Sequence, residues 1–302
     1  MRITNFLVSI VVIAVSCSEP QKRTSLSDTE QWKLGWRMIA SSWNKDNQLA
    51  EKQFDSLLVL NDNIDSKFLI TGLRVLNELG KREKIIAILR DQDANELQEI
   101  CTSDLFKELE DVEVCENIEP EEVKNTNLQM ELIRMYVDDQ AARGSLMEDL
   151  IEKYHLNKDE ITNEDGVTID LRNRNRLKEI FQEYGFPTKE MVGKDAMHGV
   201  FLMIQHSDGD KEWQKSQLPN IENAVERGDM DGQSYAYLYD RIRINSGEKQ
   251  LYGTQFSNVD PINKTVTLAE TEDIDSLDHR RMDVGMMPID MYKEFMLKNL
   301  QN

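Results

Sequence analysis

Apolar residues recur at three- and four-residue spacing through the first third of the chain, the signature of helices that bury one face. Trp32, Trp36, Ile39, Ala40 and Trp43 form the first wide stripe, and Leu49, Ala50, Phe54, Leu57 and Leu58 form the second. Phe68, Leu69, Gly72, Leu73 and Leu76 make a third that stops at Gly80, and Ile85, Ile86, Ile88 and Leu89 make a fourth. Ser27 and Glu30 ahead of the first stripe have the S-x-x-E spacing of a capping box. Paired stripes of this size predict helical hairpins over residues 27–118. They resemble tetratricopeptide-type repeats, although the small and aromatic positions do not hold one register. A generic helical bundle satisfies the same pattern. A stacked solenoid would offer its concave side to a partner.

The acidic stretch Glu113–Asn127 contains Pro120 and marks a boundary. A second domain is expected over 119–302. Its first helix runs from Leu128 to Ala142, with Leu132, Met135 and Tyr136 inward. A helix from Asp170 to Tyr184 ends at Gly185, with Pro187 beyond it. The unbroken run Val200–Ile204 predicts a helix over Ala196–His206, buried on most sides and capped by Asp195. Further helices are expected at Ile221–Val225, at Tyr235–Ile244 and at Ile289–Leu300. Gln250–Phe256 has strand character, with Thr265–Leu268 as its antiparallel partner across Asp260–Asn263. Gly253 inside that strand would mark a bulge or a close approach. The fold class is therefore mainly α: N-terminal hairpins, then an α-rich domain with a small β-hairpin near residues 250–268.

Composition narrows the partners. The 302 residues carry a formal charge of -20, with 30% charged and 39% hydrophobic residues. A folded polypeptide is expected, and nucleic acid, which needs a basic footprint, is not a partner. Arg2 followed by the apolar run Phe6–Val15 reads as a processing segment, because about ten apolar residues are too few to span a bilayer. Ala14-Val15-Ser16-Cys17 resembles a lipobox. That resemblance implies a signal peptide over 1–16, lipidation of Cys17 and a polar tether to residue 26. No Asp follows Cys17 and no acidic run appears, so a bacterial cell-envelope protein on the outer membrane, facing the periplasm, is expected. Cys101 and Cys115 are either a disulfide, which that compartment permits, or buried thiols.

Chemistry concentrates between Gly193 and Gln255. His206 stands at a helix end beside Asp208, a carboxylate placed to orient the imidazole for acid–base work. The structural alternative is a histidine satisfying terminal helix carbonyls. On the same helix His198 and Gln205 lie within about 20° of one another, while His206 is about 80° and about 12 Å from His198. One metal cannot take both histidines, so no metal site is assigned. Asp139 and Arg143 have the i,i+4 spacing of a surface ion pair. Asp240 and Arg241 are adjacent and face different ways. An apparent calcium loop near Gly166 fails, because Ile161 and Arg172 fall on its first and last ligand positions.

These residues resemble, over about 128–292, a bacterial family known as domain of unknown function 6624. The matching positions are Asp139-Gln140 with Arg143, Asp170 with Asn173, Asp195, His198, Gln205-His206 with Asp208, Asp240-Arg241, Gln250 to Gln255, Arg280, Arg281 and Gly285. The resemblance implies that these scattered polar residues belong to one domain. It implies no activity, since the family has none established.

The reading placed first is a lipid-anchored binding or scaffold module. Asp139, Gln140, Arg143, His198, Gln205, Asp240, Tyr252, Gln255 and Arg281 would form its polar pocket, and its partner would be an envelope protein, peptide or glycan. The alternative is a hydrolase in which His206, oriented by Asp208, activates water. No G-x-S-x-G nucleophile motif, glycine-rich nucleotide loop or C-x-x-C is present, so no cofactor is expected. A third reading makes the cluster a buried hydrogen-bond network.

Overall fold

A computed structural model of the chain describes residues 26–60, 64–103, 113–115, 118, 122–260 and 262–299. The leader, Cys17 and its tether up to residue 25 lie outside the described residues, as does Pro120 in the expected domain boundary. The protein is mainly helical, with one two-stranded antiparallel sheet.

The hairpin pattern folds into α1 (Asp28–Trp43), α2 (Asn47–Leu60), α3 (Ser66–Glu78), α4 (Arg82–Arg90) and α5 (Ala94–Cys101). Ser27 and Glu30 cap α1 reciprocally, the Glu30 carboxylate accepting from the Ser27 N–H at 3.0 Å and the Ser27 hydroxyl from the Glu30 N–H at 3.4 Å. Trp32, Trp36 and Ile39 are buried, and α1 packs against both α2 and α3. Trp43 is not part of that core. It is 52% exposed and leans on Phe295, ring centroids 5.2 Å apart. Gly72 is a close-approach point of the bundle, because a Cβ there would stand 2.4 Å from the Phe54 ring, as one at Gly35 would from the Phe68 ring. Cys101 and Cys115 form a disulfide, which decides between the two readings left open for them.

The second set comprises α6 (Thr126–Ala141), α7 (Glu148–Lys153), α8 (Gly166–Tyr184), α9 (Lys189–Val192), α10 (Lys194–Gln205), α11 (Lys211–Ser216), α12 (Leu218–Glu226) and α13 (Gly232–Asn245). Leu132, Ile133, Leu177, Ile180, Val200 and Ile204 form its core, with α10 laid across α6 and α8. Asp165 caps α8, so that helix begins before the expected Asp170. Gly193, not Asp195, stands at the start of α10. The Asp195 carboxylate instead accepts from the Tyr154 hydroxyl at 2.9 Å and pairs with Lys153 at 2.8 Å.

The chain closes with β1 (Phe256–Asp260), β2 (Thr265–Leu268), α14 (Leu277–Asp283) and α15 (Ile289–Asn299). The antiparallel partner is as expected, but the first strand is displaced toward the C-terminus, and 251–255 is loop. Gly253 sits in that loop at φ +67°, its Cα facing Leu277 and Ile289. The tail then returns to the N-terminal bundle. Met282, Met287 and Met291 pack on its core, and the Trp32 indole N–H donates to the Met286 carbonyl at 2.8 Å.

Candidate active site

Three helices meet where α6 ends. Asp139 lies in its last turn with no exposed surface, and the structure spends every acceptor direction of that carboxylate on cationic or polar neighbours. The Gln140 amide donates to it at 2.8 Å and Arg143 Nη1 at 3.2 Å. His206 Nδ1 lies 3.0 Å from both carboxylate oxygens. Arg143 also satisfies the helix end, Nη1 donating to the Asp139 carbonyl at 2.8 Å, while its Nη2 reaches Asp170 on α8 at 2.5 Å.

The partner of His206 is thus Asp139, 67 residues earlier, and not Asp208. Asp208 turns away and takes Arg241 in a two-point fork, with Nε at 3.0 Å and Nη2 on the other oxygen. Gln214 and Asn245 each donate to it at 3.2 Å. Burial raises the Asp208 carboxyl, and the Arg241 guanidinium with the Gln214 amide more than offsets that, leaving it below the usual carboxylate range. Asp208 anchors the turn after α10.

An ionised carboxylate accepts only, so the His206 nitrogen facing it carries the ring proton, and Nε2 is left as the acceptor. Nε2 has no partner among the described residues. The His206 side chain is 14% exposed and Asp139 beneath it is 0% exposed. Beside it Gln214, nearly fully buried, closes the α10 terminus by donating to the Ile204 and Gln205 carbonyls at 3.2 and 2.9 Å. Gln205 joins the site through that carbonyl.

Asp139, Asp170 and His206 offer ligand atoms within 4.8 Å of one another, a spacing that could hold a metal ion. The Arg143 guanidinium bridges the two carboxylates, Nη1 to Asp139 at 3.2 Å and Nη2 to Asp170 at 2.5 Å.

The remaining candidates form a second constellation. Asp240, fully buried on α13, accepts from the backbone N–H groups of Leu251 at 2.7 Å, Tyr252 at 3.0 Å and Thr254 at 3.0 Å, and from the Thr254 hydroxyl at 3.0 Å. Arg281, equally buried, holds the other side of the same loop, donating to the Tyr252 carbonyl at 2.6 Å and the Met287 carbonyl at 2.7 Å with its guanidinium over the Tyr292 ring. Gln250 imitates a strand partner, its amide donating to the Gln255 and Ala269 carbonyls at 2.9 and 3.1 Å and accepting the Gln255 N–H at 2.8 Å. Gln255 in turn donates to the Thr254 hydroxyl at 3.0 Å. Asp240, Tyr252, Gln255 and Arg281 therefore organise the 250–255 loop. Asp240 and Arg241 do face apart, one into this loop and the other onto Asp208.

His198 belongs to neither cluster. It sits near the start of α10 against Tyr136 and Phe201, with centroids 5.7 and 6.0 Å away. Burial lowers its basicity, the charges of Asp231 and Asp195 opposing that only in part. Tyr136 is pushed up to about 12 by burial and by the charges of Asp195 and Asp139.

A family model described as a family of unknown function, DUF6624, matches residues 126–300, more than half of the chain. The chain belongs to that family. The match opens on the first residue of α6 and takes in both constellations, so the family's defining region contains the Asp139–His206 pair and the clamped loop. No curated protein and no solved structure matches the chain. Arg174 and Gln214 were missed by the sequence reading. Arg174 had a signal, since it sits between Asn173 and Leu177 on the buried face of α8.

Proposed function

We propose that this chain is a hydrolase in which His206 is the general base and Asp139 its positioning residue. One observation carries the reading: a fully buried carboxylate holds Nδ1 of a histidine whose own side chain keeps some exposed surface. Nε2 takes a proton from water as the water oxygen bonds to the acyl carbon or phosphorus of the substrate. The imidazolium, stabilised by Asp139, then returns that proton to the leaving oxygen or nitrogen as its bond breaks. Arg143 and Gln140 hold Asp139 in place throughout.

The Cys17 pattern supports a lipid-anchored envelope protein, and no helix among the described residues is long and apolar enough to cross a membrane. Palmitate labelling that survives Cys17→Ser would end that part of the reading.

A binding module is the second reading. It is favoured by an open groove of about 650 Å³ between α6 and α8, lined by Arg134, Arg172, Arg176 and Asp138, which suits a polar peptide or glycan. A panel of ester, phosphoester and amide chromogens separates the two. The hydrolase reading expects turnover of one class, reduced by about 100-fold or more in His206→Asn and Asp139→Asn. Turnover that His206→Asn leaves unchanged, or none in any class, contradicts it.

A further inference from the structure

Arg174 is a cation that this fold buries without a hydrogen bond among the described residues. It lies on α8 one turn after Asp170 and is 8% exposed. Its Nε is sealed from solvent and has no partner. The guanidinium rests against Gly209, where a Cβ would stand 3.0 Å from Nη1.

The carboxylates around it are already matched. Asp170 is held by Arg143, and Asp208 by Arg241, Gln214 and Asn245. Asp210 takes Lys178 at 2.8 Å and the Trp213 N–H at 3.2 Å, and interacts with Arg174 through charge alone. A guanidinium presents five donors in a planar fork, and here the Nε donor is desolvated and unpaired, which is unfavourable. Such a group is held ready for an acceptor that arrives from outside, and the fork matches a carboxylate or phosphoryl group.

Its position suits the dyad. Four residues, about 6 Å along the helix axis, separate Arg174 from Asp170, and a carboxylate oxygen of Asp170 lies within 4.8 Å of a His206 ring nitrogen. Gly209 follows His206 by three residues, so one turn of chain carries both the base and the floor over Arg174. In a chain of charge -20 an anionic substrate needs a local cation to be held at all.

We propose that Arg174, beneath the Gly209 turn, is an oxyanion subsite that binds a carboxylate or phosphoryl group of the substrate next to His206. Its role in turnover rests on the hydrolase reading; the binding of the anion does not. The test is titration calorimetry of the full chain with inorganic phosphate and with acetate, using wild type, Arg174→Gln, Gly209→Ala and His206→Asn. One of the two anions binds wild type and identifies the group. Arg174→Gln and Gly209→Ala weaken that binding about tenfold or more, the loss expected for a charge-assisted hydrogen-bonded pair. His206→Asn stays within about threefold, since it leaves the fork intact. Thermal unfolding of Arg174→Gln is unchanged or higher, because an unpaired buried charge has been removed. Failure of both anions to bind, wild-type affinity in Arg174→Gln, or a lowered melting temperature of Arg174→Gln together with normal binding by Gly209→Ala would overturn the subsite. Anion binding that persists while His206→Asn hydrolyses normally would overturn the dyad and leave the subsite standing.

Discussion

Replacing Asp240 by Asn keeps the shape of the side chain and removes its charge, which isolates what the carboxylate does for the loop it clamps. One oxygen accepts from Leu251 and Tyr252, and the other from Tyr252 and from both the N–H and hydroxyl of Thr254. An Asn oxygen can keep the first pair, now as neutral bonds, at a loss of about 1 kcal/mol each. Its NH₂ group then faces the Thr254 N–H, donor against donor, and a buried unsatisfied N–H costs about 1–3 kcal/mol. Arg281 is 0% exposed, has no direct carboxylate partner among the described residues, and also loses the field of Asp240. Together these give a loss of about 3–5 kcal/mol, in the range found when one member of a buried charged pair is removed. Urea unfolding followed by circular dichroism reads it as a lower midpoint at constant slope. A loss below about 1 kcal/mol would mean that the loop holds its own shape and that the clamp account is mistaken.

Two further outcomes test the packing. Gly72→Ala places a methyl 2.4 Å from the Phe54 ring, so overpacking outweighs the gain in helix propensity and destabilises by about 1–2 kcal/mol. Adding Phe54→Leu should recover part of that, and no recovery would locate the strain elsewhere. His198 is less basic folded than its usual 6.5. As pH falls below 6.5 the unfolded chain therefore takes up protons before the folded one does, and stability declines with it. His198→Gln should flatten the fall in unfolding midpoint between about pH 7.5 and about pH 5, and a curve unchanged by the substitution would remove His198 as its source.

The sequence made the helices legible, because their stripes, caps and terminal glycines are local signals. The opposed directions of Asp240 and Arg241 followed from helical geometry alone. What stayed hidden depends on contacts between distant segments. Asp208 is two residues from His206 and looked like its partner, but the turn after α10 hands Asp208 to Arg241 on α13, and the imidazole meets Asp139 on α6 instead. Asp139 and Arg143 have the spacing of a surface pair, and only the docking of α10 across α6 shows that the acid is buried. The strand signal at Gln250–Phe256 failed for a similar reason. Gln250 makes strand-like bonds with its side chain and frees the backbone after it to wrap around Asp240. Trp43 fits its stripe by spacing, yet covers Phe295 from outside the core.

General-base chemistry at His206 requires that Asp139 fix the ring with Nδ1 protonated and Nε2 bare. Nitrogen-15 NMR of the labelled imidazole, recorded across a pH series, measures this directly. The wild type is expected in the Nδ1–H form, with a shift toward the Nε2–H form in Asp139→Asn. An Nε2–H tautomer in the wild type would leave no base facing substrate and would contradict it.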